Sequence, residues 1–480
     1  MATPEHLDVL IIGAGLSGIG AACQLSEAHP GRSYAILESR DASGGTWDLF
    51  RYPGVRSDSD MFTFGFKWRP WPSDKALADG HMILEYIRTV AAEYGVDEMI
   101  RYRHRVVSMD WHSTKKHWVV QVERDGEPLT ITASFVWGCT GYYDYAEGHR
   151  PEFPGEQDFQ GQIVHPQHWP EDLDYAGKNV VVIGSGATAV TLVPAMAPDA
   201  GHVTMLQRTP TYILPQPDRD PLARLLSPLP YKLTYPIVRW KNVLQLVGSY
   251  QFARHFPERA KSLVRNFTER QLPEGTSYDE HFQPPYNPWD QRLCVVPNSD
   301  LFRALRSGRA SVVTDTIETF TPTGIRLTGG EEIEADIIVS ATGLKIQLFG
   351  GVDVSVDGEK FDAPDTMVYR GLMMSGLPNF AFTIGYTNAS WTLKADLVSA
   401  FVVRLLAHMD AAGHDVVVPV KDPKVGETPF MDLASGYIQR ALEDLPKQGD
   451  RAPWKLKQNY LIDRVAIPRA DLNDKALAYS

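Results

Sequence analysis

Near the N-terminus, the apolar run Asp8-Val-Leu-Ile-Ile12 breaks at once into Gly13-Ala-Gly15-Leu-Ser-Gly18. A run without polar alternation suits a parallel strand buried on both faces. A glycine turn directly behind it predicts a βαβ unit that cradles a dinucleotide. The first glycine makes the tight turn, the second lets a pyrophosphate approach the backbone, and the third packs helix on strand. The helix N-terminus supplies positive partial charge for the phosphates. The next strand, Tyr34 to Leu37, ends in Glu38, an acid placed to bind both hydroxyls of an unphosphorylated ribose. Strand, turn, helix, strand and acid together point to FAD.

A second strand, Asn179 to Ile183, runs into Gly184-Ser-Gly186-Ala-Thr188-Ala189. The alanine in third place is permitted by the pattern. Here the following strand, Val203 to Leu206, ends not in an acid but in Gln207-Arg208-Thr209. A guanidinium forks onto phosphate and accommodates the 2′-phosphate that an acid would repel. The second site therefore reads as one for NADPH, with a solvated surface arginine as the alternative for Arg208. The expected fold is α/β, with two Rossmann-like dinucleotide-binding domains and a helical insertion. Its parts are 1–145 (FAD domain, first part), 146–214 (NADP domain, first part), 215–285 (helical insertion), 286–334 (NADP domain, second part) and 335–480 (FAD domain, second part, and C-terminal region). The last boundary rests on Ile337 to Val339, a strand ending in Ala341-Thr342-Gly343, read as the point where the FAD domain re-forms with Thr342 and Gly343 facing the flavin. A like strand, Phe135 to Gly138, ends in Cys139-Thr140-Gly141 where the chain leaves the first domain.

A formal net charge of −12 argues against nucleic acid as a partner, because phosphate binding needs a basic face. The cysteines, Cys23, Cys139 and Cys294, are far apart with no CxxC pair. That fits a reducing cytoplasm and excludes a dithiol reductase. No signal-peptide pattern, metal-ligand motif or membrane-spanning apolar run is expected, and the location expected is cytoplasmic. The segment from Pro221 to Phe256 mixes Leu, Tyr and Trp with Arg and Lys. It reads as an amphipathic helical insertion, with weak peripheral membrane association as the alternative.

Two longer motifs narrow the reading. Gly44-Gly45-Thr46-Trp47-Asp-Leu-Phe-Arg-Tyr52-Pro53-Gly54-Val-Arg-Ser-Asp58 fits GGxWxxxxYPGxxxD, and Phe159-Gln-Gly161-Gln-Ile-Val-His165-Pro-Gln-His-Trp169-Pro170 fits FxGxxxHxxxW followed by proline. On these motifs the chain resembles the type I Baeyer–Villiger monooxygenases. Other flavin monooxygenases usually carry Tyr or Phe in place of Trp169. Tyr286-Asn-Pro-Trp-Asp-Gln-Arg-Leu-Cys294, Gly385 to Asp396 and Leu445 to Gly449 resemble one subgroup, the ethionamide-activating monooxygenases of mycobacteria and their relatives.

The resemblance implies that NADPH reduces FAD, and that a flavin C4a-peroxide then passes one atom of O2 to a small ketone or thioether. Such a peroxide must stay deprotonated to attack a carbonyl, which requires a fixed positive charge beside it. Arg292 stands where the family has its essential arginine, and it cannot lose its proton at working pH. Asp58 is implied to orient it, and Thr46, Trp47 and Asp58 to line the flavin site. The family usually has Lys just before that arginine, helping to hold the 2′-phosphate; this chain has Gln291, which leaves Arg208 more of that work. An N- or S-oxygenating enzyme without ketone activity, and a non-catalytic flavin redox sensor, are the rival readings.

Several residues have two readings. Phe159, Gly161, His165 and Trp169 precede the second fingerprint strand, which favours a conformational role between domains over plain packing or proton transfer by His165. Trp47 either borders the nicotinamide or plugs the core. Asn388 and Trp391 are substrate-pocket candidates, or else a helix cap and a core indole.

Overall fold

The computed structural model describes residues 4–291, 293–431 and 435–480. Strand β1 (Glu5–Ile12), helix α1 (Leu16–Ala28) and β2 (Tyr34–Leu37) form the expected βαβ unit. After α2 (Thr46–Leu49), α3 (Met61–Phe64) and α4 (Gly80–Glu93), β3 (Ile100–Arg101) pairs parallel to β2. Strands β4 (His104–His112), β5 (His117–Arg124) and β6 (Glu127–Gly138) make the antiparallel meander that their alternation predicts, and β6 lies parallel to β1. The apolar run of β1 feeds two cores at once. Val9 and Ile11 join the cluster under α1, while Leu10 and Ile12 join the one on the meander side. That is why this strand shows no polar alternation.

The second sheet is wholly parallel. Its members are β7 (Gln162–Val164), β8 (Asn179–Ile183) and, beyond α5 (Ala187–Met196), β9 (His202–Gln207). A two-stranded ribbon of β10 (Ile213–Gln216) and β11 (Cys294–Pro297) brackets the helices α6 (Pro221–Leu225), α7 (Tyr231–His255), α8 (Pro257–Glu269) and α9 (Tyr278–His281). Then follow α10 (Asp300–Arg306), β12 (Ala310–Thr314) on the outer edge beside β9, and a small meander of β13 (Ile317–Thr321), β14 (Gly324–Leu327) and β15 (Glu332–Glu334). Strand β16 (Ile337–Ser340) sits between β8 and β7. The chain then returns to the first sheet through β17 (Asp353–Val356), and the long α11 (Trp391–Ala412) packs on α1.

The position of β16 corrects the sequence reading, which assigned it and the Thr342-Gly343 turn to the first domain. Its partners are Val180 to Ile183, so it completes the second sheet instead. The reason is an equivalence between the halves: β16 stands to β8 as β6 stands to β1, with Gly138 opposite Ile12 and Ser340 opposite Ile183. In each half the following carbonyl presses on the first fingerprint glycine. A Cβ on Gly13 would lie 2.6 Å from the Cys139 oxygen, and one on Gly184 would lie 2.5 Å from the Ala341 oxygen. The crossing back comes later, where residues 142–149 and 343–347 run side by side. The amides of Asp144, Gln347 and His149 donate to the carbonyls of Lys345 (2.9 Å), Tyr142 (3.1 Å) and Gly343 (3.1 Å). This paired crossover joins the two sheets.

Candidate active site

The first glycine loop and the acid behind it are one unit. Glu38 is buried, and its Oε2 accepts from the Ala14 amide (2.9 Å) between the first two glycines, while Oε1 accepts from the Arg40 amide (3.0 Å). Gly13 has φ +101° and its amide donates to the Leu37 carbonyl (2.7 Å), so the turn needs glycine. Gly18 admits no side chain, because a Cβ there would lie 1.9 Å from the Gly13 oxygen. Gly15 differs: its nearest obstacle would be Gly45 Cα at 3.6 Å. Its bare backbone opens into a cavity of about 560 Å³ that runs from Glu38 past Thr46 to Trp47, Asp58 and Trp391. A cradle at a helix N-terminus with an acid at one end fits an adenine dinucleotide.

The far end of this cavity is built mainly by the 44–58 segment. Thr46 Oγ1 lies 3.0 Å from the Tyr145 hydroxyl, whose pKa burial pushes up to about 12. Trp47 stands edge-on to Phe64, centroids 5.7 Å apart, and both line the cavity, so Trp47 serves as wall and packing at once. Asp58 lines it too. Arg292, its expected partner, lies outside the described residues. Trp391 begins α11, donates from Nε1 to Ser17 Oγ (2.7 Å) and stacks on Tyr142 at 5.3 Å, in the cavity wall. Asn388 is not there: its side chain is buried, with Nδ2 donating to the Gln458 carbonyl (2.9 Å), so it ties down the C-terminal segment.

Two wall residues escaped the sequence reading. Arg56 lines the cavity and forms a mostly buried ion pair with Asp300 at the start of α10, reaching from one domain to the other. It occupies a variable position of its motif, so no pattern marks it. Tyr386 turns its ring to the cavity while its hydroxyl donates to Asp463 Oδ2 (2.8 Å), an oxygen that also pairs with Lys394 Nζ (3.0 Å). Burial raises the Tyr386 pKa and lowers that of Lys394. Partners dozens of residues apart leave no local signal.

At the second loop, Gly184 has φ +127° and its amide donates to Leu206 O (2.8 Å), repeating the first site. Gly186 caps α5, and a Cβ there would meet nothing within 4 Å. The residue equivalent to Glu38 is Gln207, buried and neutral, its amide donating to the His281 carbonyl (2.7 Å). Arg208, one residue on, is exposed and makes no ion pair among the described residues. The Thr209 carbonyl accepts from Ser185 Oγ (2.9 Å), bracing the loop. Thr188 hydrogen-bonds the Tyr52 hydroxyl, and Gly54 (φ +76°) lies so close to α5 that a Cβ would be 2.6 Å from Ala195 Cβ. The Tyr-Pro-Gly part of the first motif thus presses on the helix of the second fingerprint.

Thr342 and Gly343 do not line the first cavity. Thr342 Oγ1 donates to the His149 carbonyl (2.7 Å), within the paired crossover. The 159–170 motif borders the same crossover. Phe159 packs edge-on to Phe320, and Gly161 is required because a Cβ would lie 2.3 Å from the Asp336 oxygen. The His165 ring lies under Gly148, its Nδ1 accepting from the Gln167 amide (3.2 Å), and Trp169 packs on the core around α5. Burial lowers the His165 pKa, with a smaller lowering from His168; the carbonyls of Gly343 and His149 face the ring and oppose both. His165 does not border the cavity.

The description of one protein family, flavin-binding monooxygenase-like, matches residues 7–357. The chain belongs to that family. It is 56% identical over 481 residues to the FAD-containing monooxygenase EthA of Mycobacterium tuberculosis (strain ATCC 25618 / H37Rv), covering 99% of this chain and 98% of that protein. The probable FAD-binding monooxygenase AlmA of an Acinetobacter species is 50% identical over 480 residues, covering 99% of this chain and 96% of that one. Among solved structures, oxidized steroid monooxygenase bound to NADP superposes with a TM-score of 0.76 over 99% of each chain at 22% identity, a likeness of fold. This member of the family therefore has the two-dinucleotide-domain architecture its fingerprints predict. No described helix is long and apolar enough to cross a membrane.

Proposed function

We propose that the chain is an FAD-containing, NADPH-dependent Baeyer–Villiger monooxygenase that inserts one atom of O2 into ketones, giving esters or lactones, and oxidises thioethers to sulfoxides. The observation that carries the reading is that one segment, 44–58, serves both glycine loops. It lines the first cavity with Thr46, Trp47 and Asp58, and it sets Tyr52 and Gly54 against α5 at the second. Hydride transfer between two bound cofactors needs such a shared positioning element.

Glu38 holds the FAD ribose, and the Gly13–Gly18 backbone with the α1 N-terminus takes the pyrophosphate. At the second loop Gly186 and α5 take the NADPH pyrophosphate, neutral Gln207 repels nothing, and Arg208 forks onto the 2′-phosphate. When bound, reduced flavin supplies the activation of O2. Trp47, Phe64, Tyr386 and Trp391 exclude water from the reacting end. Arg292 is assigned the fixed positive charge by resemblance, with Asp58 as its positioning residue. The reading is tested by giving the purified enzyme NADPH, O2 and either a linear ketone or an aryl methyl sulfide. Ester formation that is lost in Arg292→Ala supports it. Sulfoxide as the sole product would favour an N- or S-oxygenating enzyme, and NADPH oxidation that no substrate accelerates would favour a redox sensor.

A further inference from the structure

Of the helices between β10 and β11, α6, α7 and α8 differ in charge and surface from the rest of the molecule. Residues 221–270 hold nine Lys or Arg against two Glu, in a chain of net charge −12. Nine of the sixteen large hydrophobic side chains exposed among the described residues fall between Leu225 and Phe267. They are arranged, not scattered. On α7, Leu233, Ile237 and Leu244 are 63%, 52% and 56% exposed and fall within about 40° of one another around the helix axis, opposite the buried Tyr235, Val238 and Asn242. On α8, Leu263 and Phe267 share a solvent-facing strip with Arg259, beside the buried strip of Ala260, Val264 and Thr268, and Arg270 follows at the helix C-terminus. Leu225 on α6 is 74% exposed. Each face carries cations at its edge: Arg224, Lys232, Arg259 and Arg270 are exposed and form no ion pair among the described residues.

We infer that this helical segment docks on an anionic lipid surface, with its apolar side chains in the headgroup boundary and its cations on the lipid phosphates. Apolar helix faces flanked by Lys and Arg are the interfacial pattern, and no described helix is apolar enough to span the bilayer. Charge decides against a second copy of the chain, since a two-fold contact would set the same basic patch against itself. Placement agrees with a role in supplying apolar substrate. Arg239 of α7 donates from Nη1 to the carbonyls of Phe62 (2.5 Å) and Gly65 (2.9 Å), so the segment is fastened to α3, whose Phe64 lines the cavity.

The test is flotation of the full-length holoenzyme with vesicles of phosphatidylcholine plus phosphatidylglycerol, and with phosphatidylcholine alone. The wild type is expected to float with the anionic vesicles and to be released by salt. Lys232→Glu and Arg259→Glu should each weaken partitioning about five-fold or more. Leu233→Asp with Ile237→Asp should abolish it, with the melting temperature and turnover of a water-soluble substrate unchanged because these side chains touch no core. No flotation with anionic vesicles overturns the proposal, as does flotation that the Asp variants retain. A lipid-free dimer that those variants split would assign the face to self-association and overturn it as well.

Discussion

A methyl group added to Gly186 would meet no protein atom within 4 Å, and the residue already has φ −77° and ψ −176°, which alanine adopts freely. If the fold were the only constraint, Gly186→Ala would be nearly silent. As the cap of α5, alanine costs up to about 1 kcal/mol. The less flexible unfolded chain returns about 0.4–1 kcal/mol. Stability should therefore stay within about 1 kcal/mol of wild type, a shift of about 2 °C or less in melting temperature for a chain of this size. A bound pyrophosphate meets the methyl directly, and overpacking of that kind costs about 1–3 kcal/mol. This corresponds to a rise of about 5- to 150-fold in the KM for NADPH, with FAD retained. Thermal unfolding and steady-state kinetics on the same preparation read both quantities. An unchanged KM with an unchanged melting temperature would refute the second loop as the NADPH site. Gly184→Ala is the contrasting control: φ +127° and the Ala341 oxygen at 2.5 Å predict lost stability whatever is bound.

Arg208→Ala should lower kcat/KM for NADPH by about 10- to 150-fold, the loss of charge-assisted phosphate bonds, and leave NADH almost unaffected; an equal loss with both would show that Arg208 does not read the 2′-phosphate. Arg56→Ala breaks the cross-domain pair with Asp300 and is expected to raise the KM for NADPH while FAD content stays normal, with partial rescue by Arg56→Lys; the check is kinetics beside the flavin absorbance of the purified variant. Burial raises the Asp396 carboxyl from 3.8 to about 6, against the nearby Arg239. A raised folded-state pKa makes this group's contribution most favourable below pH about 4, and it is lost as the pH climbs to about 6. Denaturant unfolding should then show wild-type stability falling by about 1–3 kcal/mol relative to Asp396→Asn across that window, whereas a constant difference would contradict the shift.

The fingerprints were legible because their requirements are local. Gly13 and Gly184 need positive φ, Gly18 has no room for a Cβ, and β1 and β8 must be apolar on both faces. The Thr342-Gly343 turn was misplaced because an apolar strand of four residues carries no mark of the sheet it joins. Asn388 had two readings, pocket residue or helix cap, and only its bond to Gln458 shows where its side chain goes.

Which dinucleotide sites this chain builds is written in contiguous residues, since a glycine loop and the residue ending the next strand are close in sequence and in space. How those sites meet is not. The contact of Tyr52 with Thr188, the Arg56–Asp300 pair, the bonds of Asp463 to Tyr386 and Lys394 and the crossover of 142–149 on 343–347 each join residues more than 65 positions apart. Such contacts exist only after distant parts of the chain have packed together, because side-chain identity sets what a residue can bond while packing alone sets what it reaches.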